Sequence, residues 1–432
     1  MSTTPSDQQS NRTERPGSRY GTEEQARANI RQRRRVGVIW QVVFYLATAI
    51  SVLALAILII NIVNGAFGFV AIRNTIEPET LSPSGTALDE LSRDELISIL
   101  EENISSGLLR RFNFEEPLSE RSIPDLVELV EARVVEPRIV ETWNLIPSLL
   151  QQDEIQRYLE ERAEPNTRLE FRAWITADFI VSPQHPDPQF AGVRTAILGS
   201  IWMILITVVV AFPLGVGAAI YLEEYARDNG INRVIQVNIY NLAGVPSIIY
   251  GLLGLAVFVR LLGPITSGAV FGTSATSDPT GRTVLSAGLT LALLILPIII
   301  ISSQEAIRAV PQSLRDSSYG LGATKWQTIW HHVLPASFDR ILTGTILAVS
   351  RAAGDTATLI LTGAATVIFV DPKSLFTQFT ALPIQIYQWS ARPQGAFRNV
   401  AAAAIIVLLV LLLSMNAFAI VTRDRIRRRR LM

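Results

Sequence analysis

Apolar residues along this chain gather into long runs divided by polar stretches of unequal length. About 20 consecutive apolar residues suffice to cross a bilayer as a helix. Six runs reach that length: roughly Val36 to Val63, Arg194 to Tyr221, Val234 to Leu262, Val284 to Ser303, Arg340 to Val370 and Val400 to Val421. The pattern predicts an all-α polytopic membrane protein with six transmembrane helices. Between the first and second runs the character changes. Asp94-Glu-Leu-Ile-Ser-Ile-Leu-Glu-Glu102 and Pro124-Asp-Leu-Val-Glu-Leu-Val-Glu-Ala-Arg133 place apolar residues at three- and four-residue spacing among carboxylates. That is the period of amphipathic helices, so a soluble insert is expected there.

Charge gives the expected sidedness. The 432 residues carry 38 Lys and Arg against 38 Asp and Glu, but the balance is not local. Ile72 to Phe190 holds 24 acidic and 11 basic residues and no lysine, and the rest of the chain is basic by the same margin. Arg31-Gln-Arg-Arg-Arg35 precedes the first run, and Arg423-Asp-Arg-Ile-Arg-Arg-Arg-Arg430 follows the last. Such basic flanks stay in the cytoplasm, and an even number of crossings returns both termini there. Residues 1–35 are accordingly expected as a disordered basic cytoplasmic tail and 36–70 as the first transmembrane helix. Residues 71–190 are expected as an acidic extracytoplasmic insert, 191–422 as a five-helix core, and 423–432 as a basic cytoplasmic C-terminus. The first run is longer than the apolar region of a signal peptide, so it is read as an uncleaved helix.

Composition narrows the chemistry. There is no cysteine, and the histidines are three (His185, His331, His332), so no metal centre or other cofactor is expected. Gly320 to Lys325 lacks the Gly-Lys-Ser/Thr ending of a phosphate loop, so no ATPase site is expected in this chain. No catalytic constellation stands out in the insert.

Polar residues concentrate instead in two places. The first is the inside loop 304–339. Pro311 and Pro335 bracket a stretch expected to fold as one or two helices against the membrane, with a sharp break allowed at Gly320 and Gly322. Leu314, Leu321, Trp326, Ile329, Trp330 and Val333 give it apolar surface, while Arg315, Asp316 and Lys325 are expected to keep it wet. It reads either as an interfacial helix anchored by tryptophans or as a docking surface for a cytoplasmic partner.

The second place is the fifth run, which carries Arg351 and Asp355. An ionised side chain in a membrane helix costs about 2.5–3.5 kcal/mol, so it rarely stays there without a partner or a pathway. At i and i+4 the two are expected on one helix face, neutralising each other. A structural ion pair and an oxyanion site, in which the arginine fork meets the anion, both fit. Ser350, Thr356 and Thr362 offer hydroxyls to an anion or, as is common in membranes, to their own helix carbonyls. In the third run Asn238, Asn241, Gly244 and Pro246 need partners from neighbouring helices or a water-lined path. Pro213 and Pro297 read as kinks.

From Asp316 to Pro335 the loop resembles the cytoplasmic signature loop of ABC importer permeases. Gly322, Leu334 and Pro335 stand at signature positions, and Asp316-Ser-Ser stands where Glu-Ala-Ala is usual. Four further runs resemble phosphate importer permeases of the PstA type, within the MetI-like superfamily. They are Leu242-Ala-Gly-Val-Pro-Ser-Ile-Ile-Tyr-Gly251, Ser350-Arg-Ala-Ala-Gly-Asp-Thr-Ala357, Leu382-Pro-Ile-Gln-Ile-Tyr-Gln-Trp389 and Asn416-Ala-Phe-Ala. The likeness spans roughly Gly192 to Arg430.

The resemblance implies half of a phosphate pathway in the cytoplasmic (inner) membrane, in contact with lipid and not with nucleic acid. The implied partners are a PstC-like second permease, PstB-like ATP-binding subunits and a PstS-like phosphate-binding protein. Arg351, Asp355, Thr356 and Ser350 fall in the implied substrate pathway. Asp316, Gly322, Trp326, Leu334 and Pro335 fall in the implied ATPase-coupling loop. A permease for sulfate or molybdate would carry a similar loop, and a signalling membrane protein with an outer sensor domain also fits the residues.

Overall fold

The computed structural model describes residues 23–81, 88–115, 117–162, 167–272, 280–363, 368 and 370–431. The chain divides into two units, Met1–Asn61 and Ile62–Met432. The expected disordered tail falls largely outside the described residues, at positions 1–22. Residues 23–35 are helical and run without a break into the first apolar segment, as one helix α1 (Glu23–Ala66). Its rich supply of Arg, Gln, Ala and Glu there favours the helix. Gln32–Ala66 has a mean hydropathy of 2.7, and the large apolar side chains of the first unit are exposed from Val36 to Ile60. That is the surface a lipid-solvated helix presents.

The second unit begins with an abrupt change. The chain leaves the helix at Ala66 and enters strand β1 (Phe67–Arg73) with no polar linker. Helices α2 (Pro78–Leu81), α3 (Arg93–Asn103), α4 (Ser106–Glu115) and α5 (Ile123–Val130) follow, then strand β2 (Arg138–Thr142). Next come α6 (Leu145–Leu150), α7 (Gln152–Arg162), strand β3 (Thr167–Ala173) and α8 (Ala177–Val181). The strands form one antiparallel sheet in the order β2-β1-β3, with Val70 opposite Thr142 on one side and Glu170 on the other. The insert is thus helical as expected, with a small sheet added.

The expected amphipathic helices form. Ser92 caps α3 reciprocally with Glu95, whose carboxylate takes the Ser92 N–H at 2.8 Å. Such a cap is worth about 1 kcal/mol. Leu96, Leu100, Leu126 and Val130 then bury together as the core of this helical part, while Asp94, Asp125 and Glu128 stay exposed.

The permease-like part comprises α9 (Arg194–Ile220), α10 (Gly230–Ala243), α11 (Ser247–Gly254), α12 (Gly263–Thr266) and α13 (Val284–Arg308). It continues with α14 (Gln312–Gly320), α15 (Lys325–Thr328), α16 (Leu334–Ala353), α17 (Thr356–Thr362), α18 (Leu382–Ser390) and α19 (Gly395–Leu431). Helix α13 is the hub. Met203, Leu291, Ile295, Ile299, Ala348 and Ile384 bury in one cluster around it. Glycine lets α9 and α13 approach closely. A Cβ at Gly288 would fall 2.7 Å from Ile206, and one at Gly215 would fall 2.6 Å from Ile299. Small residues at a contact are how membrane helices gain packing energy.

Two expected spans are broken. The third is the pair α10 and α11, the latter extended to Leu261, bent by 105° at Gly244-Val245-Pro246. Pro246 has no N–H to continue α10, and its fixed φ starts α11 afresh. The fifth does not run as one helix from Arg340 to Val370. Backbone helix from Lys325 ends at Ala353, and a separate α17 starts after Gly354-Asp355.

Contacts assign the elements to two ends. Gln236 of α10 and Gln304 near the end of α13 exchange two amide hydrogen bonds of 3.0 and 2.8 Å, so both belong to the end that carries α14 and α15. At the opposite end a Cβ on Gly281 would lie 2.7 Å from the Val259 carbonyl. There, too, the Val284 and Leu285 N–H groups donate to Thr377 and Leu375. The sheet sits at this second end, where Val70 and Ile72 pack with Trp389, Phe397 and Val400. Asn399 secures it by donating to the Gly65 carbonyl at 2.7 Å.

Candidate functional site

The two helix breaks meet. Thr358 of α17 donates to the Ser247 carbonyl, at the start of α11, at 2.9 Å. A Cβ on Gly251 would stand 3.0 Å from the Thr358 Cα. Tyr250 reaches back across the first break and donates to Leu242 at 2.8 Å, which holds the bend open. Unwound backbone inside a membrane protein is tolerated where it lines protein or a water-filled path. Two breaks in register, each opening a new helix N-terminus, make such a polar place in the core.

Arg351 sits half a turn before the second break, at the C-terminal end of α16. Its side chain is exposed, and among the described residues it has no hydrogen-bonding or ionic partner. The expected Arg351–Asp355 pair on one helix face does not form. Asp355 lies beyond the end of α16 as the N-cap of α17, and its carboxylate accepts the Thr358 N–H at 3.0 Å. Gly354 ends the helix between them, so i and i+4 no longer lie on one helix face. A short acid suits a cap better than a reach back to the arginine. Thr356 opens α17 beside it, half-buried. Ser350 lies 2.7 Å from both the Ile346 carbonyl and Asn416 Oδ1, so it ties α16 to α19. Thr362 bonds carbonyls of its own helix.

The loop 304–339 folds as two short helices around Gly322, which takes φ +83. Thr324 caps α15 with Gln327 in a reciprocal box. Pro335 does not end the loop. A wider turn at Ile329–Val333 carries the backbone helix from α15 straight into α16. A π-type turn absorbs the missing N–H and the ring clash that proline imposes on a regular helix. Leu334 and Pro335 are thus inside a continuous rod that carries Arg351 in its last turn. Asp316 is exposed and accepts from Gln312 at 3.1 Å. Trp326 and Trp330 stack with centroids 5.5 Å apart, and both are more than half exposed, as is Leu321.

Sequence reasoning missed what holds this loop. Arg315, expected to be wet, is 8% exposed. Its Nε and Nη2 meet Glu224 Oε1 at 3.1 and 2.9 Å, and its other hydrogens go to the Val310 and Ile307 carbonyls at 2.8 and 3.0 Å. The guanidinium therefore caps the C-terminus of α13 as well as pairing with the acid. Flanking it, Arg308 pairs with Glu223 at 2.6 Å, and Lys325 lies 5.2 Å from the Tyr225 ring. Three consecutive residues after the second span, Glu223-Glu-Tyr225, thus grip three cations of the loop. The only prior signal was the acidic dipeptide itself, since its partners lie 80 to 100 residues on.

Two broken spanning helices meet inside the bundle, and a folded, partly exposed loop runs into one of them as continuous helix. The chain belongs to the binding-protein-dependent transport system inner membrane components, whose family pattern matches residues 211–428. It is 34% identical over 248 residues to the phosphate transport system permease protein PstA 1 of Mycobacterium tuberculosis, covering 57% of this chain and 74% of that one. To PstA of Yersinia pestis it is 31% identical over 234 residues, 54% of this chain and 73% of the relative. To the probable ABC transporter permease protein YqgI of Bacillus subtilis it is 28% identical over 261 residues, 56% and 82% of the two chains. The chain is an ABC importer permease of the inner membrane, of the MetI-like fold, and similar to PstA-type permeases. The family implies ABC partner subunits and a substrate-binding protein.

Proposed function

We propose that this chain forms one half of the pathway of an ATP-driven importer of inorganic phosphate. The observation that carries the reading is Arg351, without a hydrogen-bonding or ionic partner among the described residues, beside two facing helix breaks. A guanidinium left without a counterion in the membrane is costly, and an oxyanion passing through supplies the missing partner bidentately. Asp355 and Thr356 stand at the same break and frame the path; Ser350 sets the position of α16 against α19. The similarity to PstA proteins supports phosphate as the oxyanion.

Coupling runs through residues 304–339. ATP-binding subunits of the PstB kind dock on the exposed surface around Asp316, Gly322 and Trp326, and the rod through Leu334 and Pro335 carries the displacement to Arg351. This is a rigid-body switch. The termini and this loop face the cytoplasm, and the insert 71–190, whose sheet packs at the opposite end, faces outward. A PstC-like permease completes the pathway, and a PstS-like protein delivers phosphate. No ATP is hydrolysed by this chain itself.

The test is ATP hydrolysis by the reconstituted complex. Phosphate-loaded binding protein is expected to raise it severalfold over the unloaded protein; equal rates with both would count against coupled import. Gly322→Asp is expected to weaken co-purification of the ATPase, because φ +83 costs a residue with a Cβ about 1–2 kcal/mol and disturbs the turn between α14 and α15. Unchanged co-purification would move the docking site elsewhere.

A further inference from the structure

Two more arginines stand at the end of the core that lies opposite the coupling loop. Arg260 follows Val259, and Arg282 follows Gly281; the Gly281 Cα packs so close to the Val259 carbonyl that a Cβ would be 2.7 Å from it. The backbone segments that carry the two arginines therefore meet where the α11 extension passes the start of α13. Both are exposed, and neither has a hydrogen bond or ion pair among the described residues. They are the only charged side chains among the described residues from 247 to 304.

Arg282 is also joined to the site below. Its aliphatic stem covers Gly363, the residue that ends α17, where φ is +131 and a Cβ would fall 2.6 Å from Arg282 Cδ. Helix α17 begins at the break beside Arg351. One short helix therefore separates the Arg282 stem from the pathway arginine. Of the two acids in the adjoining loops, Asp371 is already held by Arg194 at 3.0 Å and by Thr195 at 2.8 Å, and Asp278 lies outside the described residues.

We propose that Arg260 and Arg282 form an anion-collecting mouth that receives the oxyanion at the outer end of the pathway and passes it along α17 to Arg351. The proposal rests on the reading of this chain as an oxyanion permease and adds the residues that admit the substrate. Unpaired guanidinium groups at a low-dielectric rim focus the field and raise the local concentration of an oxyanion. Their planar forks bind it without dehydrating a compact charge. The close cover of Gly363 fixes Arg282 above α17 in place of a freely swinging side chain.

The test uses the whole complex in proteoliposomes, carrying Arg260→Gln and Arg282→Gln together, with labelled phosphate and saturating loaded binding protein. Maximal uptake is expected to fall about tenfold, the scale of electrostatic focusing in a charged cleft, and its dependence on ionic strength is expected to flatten. The double Arg→Lys variant, which keeps the charge and most of the stem, is expected to recover a large part of the rate. Unchanged maximal uptake would overturn the mouth, whether or not the half-saturating concentration of binding protein shifts. Such a shift alone would mark the arginines as a docking contact, and lost co-purification of the second permease would mark them as an interface. If the wild-type complex moved sulfate in place of phosphate with the same loss in the variant, the mouth would stand and the substrate would change. A wild-type complex that moves no oxyanion would remove both.

Discussion

Arg351→Ala is expected to abolish uptake while the complex still assembles. A charged hydrogen bond counts for about 1.5–3 kcal/mol, so losing the two bonds of an arginine fork lowers transport by roughly 100-fold or more. Assembly should survive because Arg351 has no hydrogen-bonding or ionic partner within the described chain. Uptake and co-purification, measured on the same preparation, separate the two effects. Arg351→Lys should keep the charge and lose the fork, leaving an intermediate rate. Normal uptake by the alanine variant would remove Arg351 from the pathway.

Arg315→Ala is expected to destabilise the end that carries α14 and α15 more than any exposed change in the loop. It leaves Glu224, whose side chain is 7% exposed, charged and unpaired, and strips the Ile307 and Val310 carbonyls of a donor. Removing one partner of a buried ion pair costs about 3–5 kcal/mol, whereas replacing both by apolar groups of similar volume is often neutral. The purified single variant should therefore melt several degrees lower, with ATPase activity no longer raised by loaded binding protein. Arg315→Met with Glu224→Leu should recover much of the melting temperature. If the single variant melted with the wild type, the grip of Glu223-Glu-Tyr225 would not be what holds the loop.

What the sequence made legible follows from the range of each interaction. The apolar runs located the spans, because a helix in lipid needs only length and apolarity to be recognised. The first break was signalled by Gly244 and Pro246, which act on their own backbone. The second was not. Arg351 and Asp355 at four-residue spacing look like a helical pair, and only the structure places Gly354 between them as an end and Asp355 as a cap. Likewise Phe67–Arg73 continues the apolar pattern of α1, so its role as the central strand is decided by partners 65 to 106 residues later.

The loop 304–339 shows the same division. Gly322 announced the turn, and the tryptophans announced an exposed apolar surface. Arg315 read as a solvated charge, since nothing local distinguishes a buried arginine from a wet one when its acid lies 91 residues back. Pro335 suggested an interruption that the wide turn at Ile329–Val333 removes. That Arg351 and Arg282, at the two ends of α17, have no hydrogen-bonding or ionic partner among the described residues is established only by the folded chain.

The most direct measurement is ATP-dependent uptake of labelled phosphate by vesicles holding this chain with its second permease, ATPase and binding protein, with sulfate and molybdate as competitors. Phosphate accumulation that requires ATP and that neither competitor suppresses is the expected result. A verified complex with active ATPase that accumulates no phosphate would contradict the account.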